Sequence, residues 1–464
     1  MRNSKYKIVS RLCLIACIIM LVCQCDKSDR NNTVAKIGDR LLTVDEFQWA
    51  YELAPRSITQ MGNDTARTIV LQRLINQVLL AQEGMEKGYD KDSSFQEILN
   101  NYRDKAIIRE LYMTHIRDSV RISDADFQGA YEKSRTTLFV QNFSVATKEE
   151  AEQIRNEKLQ VSHTPINEFT KTRRLDPYGL VDVTCWNVIR EEIEVLLYRL
   201  PLLEYSEPVY DGKVYHVFRV VEKEIEALAR ESDFYAVQPS LESVLRKRKE
   251  HQSAFQFVRK TMAPQNVIIR AKTLNAVTDR FWDFYQKAED QSTQGSEFSE
   301  IQSLFTDTDV LIGMELASFA DGSFSVSDFL FYYRLNPISV NHSSRASVRN
   351  SIQNAVATYI RDIVFARQGK NEGLDQRISV IKETQHWREK LLAAKVKKEL
   401  LSSITSTVID SSLFREFYRD SLDNYLAGLN KQMDISINKK LLSQIPVSDT
   451  GMGRKIDFFA TYVQ

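Results

Sequence analysis

Cysteine is nearly absent from the body of this chain. Five occur in 464 residues, and Cys13, Cys17, Cys23 and Cys25 all fall at the N-terminus. Only Cys185 lies beyond, so no internal disulfide framework is available and stability must come from packing. Glycine and proline are also scarce, at 15 and 9, which argues for long helices over a loop-rich or all-β fold. Neither sign of charge prevails: Lys+Arg and Asp+Glu are 62 each, and no long single-sign run occurs. Nothing in this balance suggests a nucleic acid partner. The six His are scattered without metal-ligand spacing, and no glycine-rich phosphate loop is present, so neither a metal nor a cofactor is expected. What is present is an ordinary globular mixture, 43% hydrophobic and 27% charged, long enough for two or three domains.

The N-terminus reads as a targeting segment. Arg2, Lys5, Lys7 and Arg11 precede the apolar run Leu12 to Val22, which is too short to span a bilayer comfortably. The chain then turns abruptly polar in CQCDKSDRNN. An apolar run ending at Cys before a charged tether resembles a bacterial lipoprotein signal, with Cys25 the expected lipidation site and Cys23 the alternative. That resemblance implies a cell-envelope location, on the periplasmic side of the inner or outer membrane, with the chain held to the membrane by a lipid anchor.

One phrase occurs twice. VAKIGDRLLTVDEFQWAYELAP, from Val34, and LASFADGSFSVSDFLFYYRLNP, from Leu316, share their punctuation. Thr43 and Ser325 precede apolar-periodic runs, with Glu46 and Asp328 three residues on, as in a capping box. Phe47 and Tyr51 match Phe329 and Tyr333, one helical turn apart and expected in the core. Trp49 and Phe331 point elsewhere on those helices and are the client-contact candidates. Further blocks agree in order: Leu74 to Asp90 with Tyr359 to Asp375, both closing on a glycine suited to a left-handed helix cap; then the blocks from Tyr102 and Trp387; then those from Ile122 and Ile409.

Between the copies the periodicity changes. Thr137 to Gln160 reads as a strand, a Thr147 cap and a helix; EEIEVLLYRLP as a second helix; SEPVYDGKVYHVFRVVEKE as strands around an Asp211-Gly212 turn. A small α/β domain is expected here. TKEEAEQI, SEPV and YHVFRVVEKE resemble a parvulin domain, the prolyl isomerase module of SurA-like and PrsA-like extracytoplasmic chaperones. VAKIGDRLLTVDEF is similar to the opening of the chaperone module in that family. VRISDADFQGAYEKS resembles the phrase leading into the parvulin domain, and Ser240 to Ile269 the helix and strand that return from it.

The resemblance implies a mainly α chain with a small α+β domain. It divides as signal peptide 1–25, tether 26–33, first chaperone module 34–135, parvulin-like domain 136–225, return helix and strand 236–270 completing the first module, helical linker 271–315, and a second module without insert, 316–464. In parvulins two His face each other from neighbouring strands. Here one position holds His216 and the other Asn142, a residue that cannot titrate near neutral pH. Trp186 matches the family's aromatic and is a further client-contact candidate. Cys185 replaces a glycine, and Asp176 and Asp182 are candidates for the acidic position. The basic cluster LRKRKEH, from Leu245, reads as a solvated helix face. The expectation is therefore a chaperone binding unfolded or extended segments of exported proteins through apolar surface, its isomerase site degenerate. The alternatives are a working prolyl isomerase and a structural adaptor lipoprotein of an envelope complex.

Overall fold

Each of the two similar stretches folds as an antiparallel hairpin that runs straight into a capped helix. The computed structural model describes residues 32–52, 54–157, 164, 173–176, 179–226, 231–289, 304–305, 309–405 and 411–447, so Cys23 and Cys25 lie outside the described residues. The first copy comprises β1 (Thr33–Ile37), β2 (Arg40–Thr43), α1 (Val44–Glu52), α2 (Asn63–Glu86), α3 (Ser93–His115) and α4 (Asp124–Ser134). The insert follows as β3 (Thr136–Val145), α5 (Lys148–Glu157), β4 (Arg173–Asp176), β5 (Gly179–Thr184), α6 (Glu191–Arg199), β6 (Val209–Tyr210) and β7 (Tyr215–Ile225). The chain returns through α7 (Glu231–Met262), β8 (Ile268–Ile269) and α8 (Ala271–Glu289). The second copy comprises β9 (Glu315–Phe319), β10 (Gly322–Ser325), α9 (Val326–Leu335), α10 (Arg345–Asn371), α11 (Ile378–Thr405) and α12 (Ser411–Gln432), closing with β11 (Ile435–Ile437) and α13 (Lys439–Gln444). The chain is mainly α with a small α+β domain, and its helical module occurs twice.

The predicted caps form. The Glu46 carboxylate accepts from the Thr43 N–H at 2.8 Å and the Thr43 hydroxyl accepts from the Glu46 N–H at 3.4 Å. Ser325 and Asp328 do the same at 2.8 and 3.1 Å. Gly88 and Gly373 take left-handed φ angles of 75° and 73°, where a side chain would cost about 1–2 kcal/mol. Phe47, Tyr51, Phe329 and Tyr333 are buried as their spacing predicts.

The chain forms two compact units, one of residues 113–261 and one from the segments on either side. In the flanking unit the two copies exchange strands. β1 is the centre of a three-stranded sheet in which its second partner is β11, from the far end of the chain, with Ala35 opposite Ile437 and Ile37 opposite Ile435. β9 is the centre of the matching sheet, and its second partner is β8, with Ile268 opposite Ser318. Flanking backbone bonds extend both ladders: Gly38 N–H to Asp434 O and Asn438 N–H to Val34 O in one, Ala320 N–H to Gln265 O and Arg270 N–H to Leu316 O in the other. The strand after α7 was expected to complete the first copy; it completes the second, because the edge of β1 is taken by β11. Nor is the stretch from residue 271 a linker. Phe281 of α8 is fully buried against Phe329 and Tyr333, with centroids 6.1 and 5.5 Å away. On the other side Leu442 and Ile445, at the C-terminal end, join the core around Phe47 and Tyr51.

The seam between the copies repeats itself. α2 packs chiefly against α11. Asp90 pairs with Arg388 at 2.8 Å, and the matched residues Asp375 and Arg103 pair at 2.9 Å. Gly84 lies against Leu392, where an added Cβ would come within 3.2 Å of its side chain, and the matched Gly369 lies against Ile107. Tyr102 and Trp387, themselves matched, stack with centroids 3.9 Å apart, and Lys105 and Lys390 stand over their respective rings. Each of these contacts is made twice, once from either copy, the signature of a pseudo-two-fold axis within one chain.

The insert is a five-stranded antiparallel sheet in the order β4-β5-β3-β7-β6. Leu138, Val140, Phe218 and Val220 pack on one face against Ile193 and Leu197 of α6. Phe143 and Val217 pack on the other against Ala151 and Ile154 of α5. The α7 cluster read as solvated is partly structural: Arg248 forks onto the buried Glu194 at 2.7 and 2.9 Å, and Lys249 reaches Asp126 at 2.5 Å. Among the described residues, no helix is long and apolar enough to cross a membrane.

Candidate functional site

Strand register decides which side chains meet in the insert. Opposed residues of an antiparallel pair point to one face. On β3 and β7 these pairs are Asn142 with Phe218 and Ser144 with His216. Asp182 on β5 opposes Val140 and so joins the same face. Asn142 and His216 therefore meet: Asn142 Oδ1 lies 3.2 Å from His216 Nδ1. Of the acidic candidates, Asp182 is buried on this face, while Asp176 closes β4 opposite Gly179.

Two further residues complete the cluster. Ser144 Oγ lies 3.0 Å from His216 Nδ1. The Asp211 carboxylate lies 3.1 Å from His216 Nε2. Asp211 is itself anchored by the N–H groups of Lys213 and Val214 at 2.8 and 2.9 Å. The Val214 N–H, then His216, then the Lys213 N–H hold its carboxyl well below the usual range. Both signals were present in the sequence. Ser144 follows Asn142 by two on one strand, and Asp211 opens an Asp-Gly turn whose side chain folds back on the backbone.

This arrangement engages the histidine within the domain. A rotamase needs an apolar slot for the prolyl ring and polar groups facing it. Here Asn142 has no exposed surface and His216 is 9% exposed. Both imidazole nitrogens are occupied by the domain's own groups, and the ring lies parallel to Phe218 at 5.8 Å. Trp186 is half-buried with Arg248 over its ring at 5.1 Å. The neighbouring Cys185 thiol is pushed up by burial and then by Glu194, so it stays protonated and poorly nucleophilic. Among the described residues no group of three His, Cys, Asp or Glu is placed to share a metal ion.

The other sequence candidates lie in the flanking unit. Trp49 is 40% exposed and meets the His386 ring edge-on at 4.4 Å. Phe331 is half-buried, with Arg334 over its ring at 5.5 Å and Tyr332 edge-on at 5.6 Å. Sequence reasoning missed Ile378 and Ile381 of α11, which are 70% and 52% exposed. Their exposure depends on which helix face the neighbouring copy covers, and that is not legible locally.

No family model matches the chain, and no curated protein matches it. Solved structures to which it is similar include one of two related SurA-like chaperones of Campylobacter jejuni, at 17% identity over 51% of this chain and 100% of that chain, with a TM-score of 0.23. Others are the peptidylprolyl isomerase PrsA of Bacillus anthracis, at 13% identity over 40% and 96%, TM-score 0.19, and the foldase PrsA of Streptococcus pneumoniae, at 12% identity over 46% and 84%, TM-score 0.20. Likenesses at these scores do not establish a common fold along the chain.

Proposed function

We propose that this chain is a chaperone of the bacterial cell envelope, lipid-anchored through Cys25, that binds unfolded or extended segments of exported outer-membrane or secreted proteins without isomerising them. One observation carries the reading. The histidine that the parvulin resemblance assigns to catalysis has both ring nitrogens occupied by Asp211, Ser144 and Asn142. A ring so held, beside a buried amide in place of a second imidazole, has no free polar group to weaken the conjugation of a bound X–Pro amide, whose rotation barrier is about 18–20 kcal/mol. Function then rests on surface. The helical unit, built twice, offers exposed apolar side chains such as Trp49, Ile378 and Ile381, the kind of patch that adapts to many chains.

The test sets two assays side by side on the whole protein. A proline-containing peptide is expected to isomerise at its uncatalysed rate, while aggregation of a denatured outer-membrane porin is expected to be suppressed. A rate gain that disappears in His216→Ala would make the protein an isomerase. Failure to suppress aggregation, with capture of one stoichiometric partner, would make it an adaptor.

A further inference from the structure

β8 and β11 are outer strands of their sheets, and each runs into a helix that packs on the copy it joins. After β8, Leu274 and Val277 of α8 are buried, and the helix continues through the buried Phe281 and Tyr285. It closes over the start of α10, where Arg349 donates to Asn275 at 3.0 Å and Arg345 pairs with Asp279 at 2.6 Å. After β11, Leu442 and Ile445 take the places of Leu274 and Val277 and are buried likewise. There the likeness stops. α13 has 6 residues against 19 in α8, and Pro446 follows it, a residue with no N–H to continue a helix.

Beside the shorter helix runs a groove of about 340 Å³, walled by α13, β11 and the first half of α2. Leu71, Ile75, Ile437 and Leu442 make its apolar lining, and the exposed Asp64 and Lys439 stand at its rim. β11 meets it with a strand edge. The Asn438 N–H bonds to Val34 O, and Asp434 O accepts from the Gly38 N–H. In the antiparallel alternation Ser436 therefore bonds to β1, while the N–H and C=O groups of Ile435 and Ile437 point away from it. Among the described residues no backbone hydrogen bond reaches these groups. An edge of this kind pairs with an extended chain.

The nearest chain is the protein's own continuation. The described residues stop at Val447, which packs on the core of the first copy. Eight residues, 448–455, can reach about 27 Å, enough to pass back over α13, which is about 9 Å long. They lead to IDFFATYV, Ile456 to Val463, a run rich in strand-favouring residues. Ile456, Phe458, Ala460 and Tyr462 alternate along it, as one side of an extended segment requires. Lys455 and Asp457 offer charges opposite to those of Asp64 and Lys439 at the rim. In the second copy, the segment that follows the edge strand closes this place. We propose that in the first copy Ile456–Val463 does so, docking in the groove along the edge of β11. The inference is independent of the chaperone reading, and it makes the groove a site for the chain itself.

Amide hydrogen exchange tests this at single residues of the full chain. Ile435 and Ile437 should be protected alongside Ser436. Ending the chain after Val447 keeps β11 and α13, and should make Ile435 and Ile437 exchange about tenfold faster with Ser436 unchanged. The full-length variant Ile456→Ser with Phe458→Ser should do the same, and it decides the matter if truncation also loosens Ser436. Fast exchange of Ile435 and Ile437 in the full chain, or equal exchange in all three proteins, overturns the proposal. Photo-crosslinking from Phe458→benzoylphenylalanine, in an equal mixture of unlabelled and nitrogen-15-labelled protein, should give links to α2 or β11 within one isotope. Links of mixed isotope would assign the groove to a second copy of the chain, and links to other elements would place the segment elsewhere; either result overturns the proposal.

Discussion

The two copies of the helical module agree wherever the fold needs agreement and part company elsewhere. Each opens with a capping box and buries a Phe–Tyr pair one turn apart, Phe47 with Tyr51 and Phe329 with Tyr333. Each stops its second helix at a left-handed glycine and lends an Asp and an Arg to the other across the seam. They differ in core chemistry. The first copy packs its Phe–Tyr pair among aliphatic side chains from Val34 to Leu79. The second builds an aromatic cluster in which Phe281, Phe305, Phe329, Tyr333 and Tyr359 touch one another. They differ too in what α4 leads to, since only the first copy carries the insert. A feature present in both copies is thus attributable to the architecture. A feature in one alone, such as the short α13 against the long α8, is open to another cause.

The strand exchange ties each hairpin to a distant part of the chain, and cutting that tie should have the largest effect. Ending the chain after Gln432 removes β11 and α13, and with them Leu442 and Ile445 from the core of the first copy. Two buried aliphatic side chains and a strand's ladder together are worth about 5 kcal/mol. The loss should fall on the N-terminal hairpin, some four hundred residues away in the chain. Amide hydrogen exchange is expected to show β1, β2 and α1 deprotected while β9, β10 and α9 keep their protection. Deprotection of the second hairpin instead would mean that each copy completes itself.

A second difference is the residue beside the seam aromatics, His386 in one copy and the buried Asn101 in the other. His386 is held neutral, its pKa depressed to about 4 by burial and then by Lys390. The unfolded chain, with an ordinary imidazole near 6.5, takes up the proton first. Stability is therefore full above about pH 6.5 and falls as the pH drops toward 4, by up to about 3 kcal/mol. His386→Asn, which installs the residue of the other copy, is expected to flatten that decline in denaturant midpoints measured between pH 7 and 4. An unchanged slope would assign the decline to the carboxylates.

The caps, the glycine stops and the long strands of the insert were legible because each is decided within a few residues. Thr43 with Glu46, Gly373, and the alternation of Tyr215 to Val221 carry their own instructions. The partners of β8 and β11 were not legible. Both are two- or three-residue strands, and the two hairpins offer them nearly the same edge, so local pattern cannot choose between them. The choice is made by what the chain does next: α8 carries Phe281 into the second core, and α13 carries Leu442 into the first. In the insert Asn142 and His216 meet across neighbouring strands. The sequence did not show that Asp211 and Ser144 would meet the ring, because Asp211 reads as a turn residue until the hairpin folds and Ser144 reads as one more strand residue.

The finest test of the comparison is whether the seam is as symmetric in energy as in contact. Arg103 and Asp375 have side chains 38% and 18% exposed, and Arg388 and Asp90 have 35% and 19%. Equal exposure and equal length, 2.9 and 2.8 Å, imply equal solvent screening, so each pair should contribute about 0.5 kcal/mol. Double-mutant cycles with Asp375→Asn and Arg103→Gln, and with Asp90→Asn and Arg388→Gln, should return coupling energies that agree and that shrink together in 1 M salt, where the Debye length is about 3 Å. A coupling confined to one pair would show that the two copies meet through a lopsided interface, with the second pair held in place by the first. Equal couplings would mean that neither copy acts as scaffold for the other, as the reciprocal exchange of β8 and β11 requires.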